Sequence, residues 1–239
     1  MTLADADAPA LGSCASQICG VNPSSVMLSR ACGRSRTARA SALVATLALL
    51  SAGCVGFKRC AYEGIGRDRW QQPERVIAAL SLEHGNQVAD IGSGTGYFTF
   101  RLADAAGPDG RVYAVDIDEQ LVEHLTERAR DEGYPNVETV LAAPDDPRLE
   151  PGSIDLVFTC NTFHHIEDRI AYFARVRTLL RPGGRVAIVE GRPGWFHWLF
   201  PHATAPDEIR RDMEAAGYRR LDSHDWLSQQ SFQVFTANE

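Results

Sequence analysis

The chain has 239 residues, 44% of them hydrophobic, and a formal net charge of −7, which suits one well-buried core with an appendage. Six basic and two acidic residues precede Ala61, leaving 18 basic and 29 acidic residues beyond it; that balance of −11 argues against nucleic acid as a partner. Five of the six cysteines (Cys14, Cys19, Cys32, Cys54 and Cys60) lie in the first 60 residues and only Cys160 lies beyond, which excludes a disulfide framework and a zinc-type cysteine pair there.

Residues 1–29 are small, polar and aperiodic and are read as disordered, or as untranslated with Met27 as the start. Residues 30–57 hold an Arg-rich stretch, Arg30–Arg39, and then Ala40–Phe57, 18 residues without a charge. A basic run followed by an apolar run is the layout of an export signal. Leu50–Cys54, LSAGC, resembles a bacterial lipobox, in which the cysteine is lipidated and becomes the new N-terminus. Met27 lies 27 residues before Cys54, an ordinary signal length. The expectation is a membrane-associated lipoprotein. The alternatives are an uncleaved anchor, since 18 apolar residues just span a bilayer, and an Ala-rich tail on a cytoplasmic protein.

Residues 58–72 are read as a linker and lid, with Arg67, Arg69 and Trp70, and residues 73–239 as the domain. Pro73 suits the first turn of a helix whose apolar face is Val76, Ile77 and Leu80. Gln87–Ile91 reads as the first strand. It runs into VADIGSGTGYFT, Val88–Thr99, where Asp90 closes an apolar run and Gly92, Gly94 and Gly96 alternate before a helix, Tyr97–Ala105, with Phe98, Leu102 and Ala105 inward. Glycines there keep side chains out of a ligand's way and allow positive φ. The free N–H groups of the helix start favour a polar or anionic ligand. A dinucleotide fingerprint, G-x-G-x-x-G, would need glycine where Tyr97 stands, which argues against a nicotinamide cofactor.

Arg111–Asp116 is the second strand. Asp116 ends it 22 positions after Gly94, where an acid can accept two hydrogen bonds from ribose hydroxyls. Asp118 is placed to cap the helix Glu119–Glu132, which turns Leu121, Val122, Leu125 and Ala129 inward and stops at Gly133. Val137–Leu141 and Ile154–Thr159 are strands three and four. Ligands of open α/β sheets bind beyond the carboxyl ends of the strands, so Asn161 to His165 stand at the reacting edge. His164 and His165 cannot both face inward along a regular strand. One is a general base or hydroxyl orienter, or else a helix-start histidine bonded to backbone. No acid or cysteine cluster accompanies them, so no metal is expected. Cys160 reads as a small buried apolar residue rather than a nucleophile.

Ile166–Leu180 reads as an amphipathic helix with Ile166, Ile170, Phe173, Val176 and Leu180 on one face, ended by Pro182-Gly183-Gly184. Arg185–Glu190 is the fifth strand. The connection Gly191–Pro206 then packs Trp195, Phe196, Trp198 and Phe200 into six positions. That run makes a substrate wall, a membrane-facing patch or a short tucked helix. A helix Asp207–Ala216 and two strands, Tyr218–Trp226 and Ser231–Thr236, one of them antiparallel, close the chain.

The D-x-G-x-G-x-G loop, Asp116, DLVFTCNTFHHIED and RPGGRVAIVE agree in order and spacing with class I S-adenosylmethionine-dependent methyltransferases. The segment Val76–Thr236 resembles that family, and in particular its type 11-like small-molecule members. The resemblance implies an α/β, doubly wound three-layer sandwich on a seven-stranded, mostly parallel sheet of order 3-2-1-4-5-7-6. It implies S-adenosyl-L-methionine as cofactor and a small, fairly apolar molecule as methyl acceptor. It places Asp90, Gly92, Ser93, Gly94, Gly96, Asp116, Ile117 and Asn161 at the cofactor and makes Asn161, His164 and His165 the catalytic candidates. Where the family carries an acid for the adenine this chain has Ala143, and Asp145 is the substitute. In many such enzymes the leading helix lids the cofactor pocket; here it either does so or only covers the sheet. The second reading is a non-catalytic, membrane-anchored binding module on the same fold.

Overall fold

The computed structural model describes residues 66–193 and 203–238. The signal-like segment, Cys54 and the aromatic run Trp195–Phe200 lie outside the described residues. Two short helices lead in, α1 (Arg67–Gln71) and α2 (Pro73–Leu80). Then follow β1 (Gln87–Ile91), α3 (Thr99–Ala106), β2 (Arg111–Asp116), α4 (Glu119–Glu132), β3 (Val137–Leu141) and β4 (Ile154–Cys160). A single 3-10 turn, Phe163–His165, precedes α5 (Arg169–Leu179), β5 (Leu180–Gly191), α6 (Pro206–Ala215), β6 (Tyr218–His224) and β7 (Gln230–Ala237).

The seven strands form one sheet in the order β3-β2-β1-β4-β5-β7-β6. The pairs β2–β3, β1–β2, β1–β4 and β4–β5 are parallel. β7 runs antiparallel between β5 and β6. The sequence shows why the middle of the sheet is doubly covered. β1, β4 and β5 carry near-continuous apolar runs, as strands buried on both faces do. One face packs Val88, Leu156 and Phe158 against Val76 and Leu80 of α2 and Leu102 of α3. The other packs Ile154, Val157 and Ile188 against Phe173 and Val176 of α5 and Ile209 and Met213 of α6. This is the expected three-layer α/β sandwich.

Helix ends are set by short polar side chains. Asp118 accepts a hydrogen bond from the Gln120 N–H at 3.0 Å and so caps α4, and Gly133, at φ +80°, closes it. Asp168 accepts from the Ala171 N–H at 3.1 Å and starts α5. That cap corrects the expected helix from Ile166. Ile166 is buried ahead of the helix, while Ile170 is 44% exposed. The inward stripe is Tyr172, Phe173, Val176 and Leu179, and Ile170 falls on its far side. In α3 the inward alanines are Ala103 and Ala106, while Ala105 is half-buried.

Candidate functional site

The site is built where β1, β2 and β4 end. After Ile91 the chain turns through Gly92, Gly94 and Gly96, at φ +77°, +56° and +89°. At Gly92 a Cβ would stand 2.1 Å from Thr162 Oγ1, so glycine there lets the segment after β4 close on the loop. At Gly96 a Cβ would stand 2.5 Å from Leu125 Cδ1 and 2.7 Å from the Phe100 ring, so that glycine admits α4 rather than a ligand. The loop is pinned from β2. Asp116 Oδ2 accepts from the Gly94 N–H at 2.9 Å, and Asp116 Oδ1 from the Asp118 N–H at 3.0 Å.

Asp90 closes β1 beneath the loop and is buried. Its Oδ2 accepts from the Thr99 hydroxyl at 2.6 Å. Burial pushes its carboxyl up to about 7; the Thr99 hydrogen bond opposes that, the Asp116 charge adds to it and Arg67 opposes it. Ser93 Oγ and Thr95 Oγ1, both buried in the same loop, have no hydrogen-bond partner among the described residues.

These groups border a cleft of about 670 Å³. Its other walls are Val115–Asp118, Ala142–Pro144, and Cys160–Thr162 with His164 and His165. Arg67 and Trp70 of α1 reach it from above the sheet edge. The Arg67 guanidinium lies 3.7 Å from the centroid of the Tyr97 ring, and the Tyr97 hydroxyl donates to Asp68.

Beyond β4, Asn161 takes a left-handed conformation at φ +55°, which asparagine tolerates better than most residues. Its Oδ1 accepts from Gln230 Nε2 at 2.7 Å. Gln230 Oε1 in turn accepts from Gln71 Nε2 at 3.1 Å, which ties α1 to the sheet edge. Gln71 Nε2 also lies 2.9 Å from Cys160 Sγ. Burial pushes the Cys160 thiol up to about 12, so it is a poor nucleophile in this setting. His164 Nδ1 lies 2.8 Å from Glu190 Oε1, and Glu190, near the end of β5, is 1% exposed. Glu190 Oε1 also accepts from the Gly191 N–H at 3.0 Å. The exposed His165 ring lies 4.0 Å, centroid to centroid, from that of His164.

The structure therefore gathers Asp90, Gly92, Ser93, Gly94, Asp116, Ile117, Asn161, His164 and His165 around one cleft. Gly96 stands behind it, in the α3–α4 contact. Asp145 is exposed, and the lining at that place is Ala142, Ala143 and Pro144. Among the described residues no cluster of three or more histidine, cysteine or acidic side chains could hold a metal ion. Sequence reasoning passed over Glu190, Gln71 and Gln230. Glu190 carried a readable signal, an acid closing an apolar strand as Asp90 does in β1. The two glutamines carried none, because only the fold brings residues 71 and 230 together.

Residues 88–184 match the family model described as a methyltransferase domain. The aklanonic acid methyltransferase DauC of a Streptomyces species is 30% identical over 132 residues, 54% of this chain and 60% of that protein. The ubiquinone/menaquinone biosynthesis C-methyltransferase UbiE of Burkholderia cenocepacia is 31% identical over 120 residues, 50% of this chain and 49% of that one. An uncharacterized 37.1 kDa protein in transposon TN4556 of Streptomyces fradiae is 38% identical over 120 residues, 50% of this chain and 34% of that one. The chain thus spans less than two thirds of each of these relatives. Among solved structures, a SAM dependent methyltransferase from Aquifex aeolicus superposes with a TM-score of 0.69 at 22% identity, covering 74% of this chain and 96% of that one. The CcbJ methyltransferase from Streptomyces caelestis gives 0.61 at 19% identity, covering 74% and 98%. At these identities the structural likeness is one of fold. The fold and the match over 88–184 support S-adenosyl-L-methionine as the cofactor. The residues fit it: the glycine turn at Gly92 and Gly94, the buried Ser93 hydroxyl and two carboxylates suit a cationic ligand bearing a ribose.

Proposed function

We propose that this domain transfers the methyl group of S-adenosyl-L-methionine to a small, fairly apolar molecule. The observation that carries the reading is a single cleft with two different rims. One rim is the glycine loop gripped by the Asp116 carboxylate, and the other is Asn161, His164 and His165. The cofactor supplies a methyl carbon already activated on a sulfonium, so what remains for the protein is to hold the acceptor close and in line. The backbone from Gly92 to Gly94 and the Ser93 hydroxyl would hold the methionine end. Asp116 would take the ribose. Ile117, 61% exposed at the cleft, and Ala143 would flank the adenine; Asp145, which follows Pro144 outside the lining, is the proposed carboxylate for its amino group. Arg67 and Trp70 would cover the cofactor, in line with reading residues 58–72 as a linker and lid and residues 73–239 as the transferase domain. The aromatic run Trp195–Phe200, which follows β5 in the sequence and lies outside the described residues, is the proposed contact for an apolar acceptor.

Calorimetry of the full chain with S-adenosylmethionine and with NAD tests the cofactor assignment: binding of the first and not the second is expected, and the reverse would overturn it. Label transfer from methyl-labelled cofactor to small aromatic compounds tests turnover. Cofactor binding without turnover on any of them would favour the non-catalytic reading, which the signal-like segment supports because export removes the domain from cytosolic cofactor. The LSAGC sequence further supports lipidation at Cys54 and attachment to a membrane. Among the described residues no helix is long and apolar enough to cross one. Labelled palmitate should enter the wild-type protein and not Cys54→Ser; unlabelled wild type would remove the lipoprotein assignment.

A further inference from the structure

We infer that His164, held by Glu190, is the general base of the reaction, and that the acceptor is a weakly acidic hydroxyl, a phenol or enol, methylated on oxygen. This rests on the methyltransferase reading and names its acceptor class. A carboxylate oxygen only accepts, so the 2.8 Å contact of Glu190 Oε1 places the proton of a neutral imidazole on Nδ1. That leaves Nε2 as the basic nitrogen. The His164 ring lines the cleft, three residues beyond Asn161.

Glu190 is an expensive way to hold a ring in place. Its side chain is 1% exposed, and burying a carboxylate costs free energy that a backbone carbonyl in the same position would not. Its Oε1 takes only His164 and the Gly191 N–H, and its Oε2 has no hydrogen-bond partner among the described residues. A buried carboxylate against the ring suits a ring that becomes positively charged during turnover, because it then stabilises the imidazolium. Glu190 is accordingly a positioning residue, acting through His164.

The base decides the acceptor. An amine attacks with its neutral lone pair and sheds its proton afterwards. A carboxylate is already ionised near neutrality. Among the described residues the cleft also holds Asp116, Asp118 and Glu167 against Arg67, a surplus that disfavours an anionic acceptor. A phenol or enol hydroxyl is neutral when it binds and must lose its proton to become a good nucleophile. In the proposed step the hydroxyl proton passes to His164 Nε2. The oxygen–carbon bond forms as the carbon–sulfur bond breaks, and the bond pair leaves on sulfur as the neutral thioether. Release of that proton to solvent restores the base.

The test uses the full chain, His164→Gln, Glu190→Gln and Glu190→Asp. Nitrogen NMR of the imidazole should show the Nδ1-protonated tautomer for His164 in the wild type and a mixture in Glu190→Gln, a readout independent of turnover. Aromatic acceptors bearing hydroxyl, amino, thiol or carboxyl groups are then compared, and the hydroxyl series should be used. Within it His164→Gln should lower methylation of phenol by about a hundredfold or more, the ordinary contribution of a general base. Para-nitrophenol, already largely ionised, should be affected far less, and Glu190→Asp should recover part of what Glu190→Gln loses. Cofactor affinity should be the same in all four proteins. An Nε2-protonated His164, a preference for amines, thiols or carboxylates, or an equal loss on both phenols would overturn this inference alone. Failure of the wild type to bind the cofactor would overturn the methyltransferase reading and this inference with it.

Discussion

Asp90 couples the stability of the fold to the occupancy of its cleft, and with opposite signs. The carboxyl is buried beneath the glycine loop, and burial is the first reason its pKa rises from 3.8 to about 7. The folded state therefore holds this proton more tightly than the unfolded state. The stabilisation is fully present below the unfolded value and is lost as pH rises through the folded one. A tenfold difference in proton affinity between the two states is worth about 1.4 kcal/mol, so ionising this single group costs the fold on the order of 4 kcal/mol at most. Asp90→Asn removes the titration but leaves an amide oxygen to accept the Thr99 hydroxyl. Urea unfolding of the empty protein should then show the variant gaining on the wild type from about pH 6 to pH 8, by roughly 1 to 3 kcal/mol. The cofactor inverts the preference. A cation in the cleft favours the ionised carboxyl, so S-adenosylmethionine affinity of the wild type should rise with pH toward and past 7, and that of Asp90→Asn should be flatter and weaker at pH 8. A wild-type stability that climbs relative to the variant over this range, or a cofactor affinity with the same pH slope in both, would refute the reasoning.

Three further outcomes are expected. Asp116→Ala should weaken cofactor binding by about 1.5–3 kcal/mol, the range for a hydrogen bond to a charged group, since each carboxylate oxygen keeps a lone pair beyond the one engaged by backbone; calorimetry with unchanged affinity would remove the ribose assignment. Gly92→Ala should cost the fold about 1–3 kcal/mol in urea unfolding, because φ is +77° and the new Cβ would meet Thr162 Oγ1, and a variant as stable as wild type would show that the loop has room to move. Trp198→Ala should impair acceptor use and spare cofactor affinity; loss of folding in that variant would place the aromatic in the core instead.

What could be read from the sequence followed from local rules. The alternation of apolar strands with capped amphipathic helices, and glycines at every second position after Asp90, required only neighbouring residues to be understood. Strand order was legible through resemblance, not through periodicity, because no local pattern tells β7 to insert antiparallel between β5 and β6. The misplaced start of α5 is instructive in the same way. Ile166, Ile170, Phe173 and Val176 fit a helical period, but Asp168 supplies the cap, and a cap outweighs one apolar residue because it satisfies an orphan N–H. The site divides along the same line. Residues that act through position at a strand end, such as Asp90, Asp116 and Asn161, announce themselves. The partners that orient them do not: Gln71 and Gln230 stand 159 residues apart, and Glu190 lies 26 residues beyond His164. Those distant partners hold the proposed acceptor rim in shape, with Gln230 on the Asn161 amide and Glu190 on the His164 ring. The cofactor rim is a local product of one loop and one strand. The acceptor rim is a product of tertiary pairing, so within one fold the first can stay constant while the second is remade for a different acceptor.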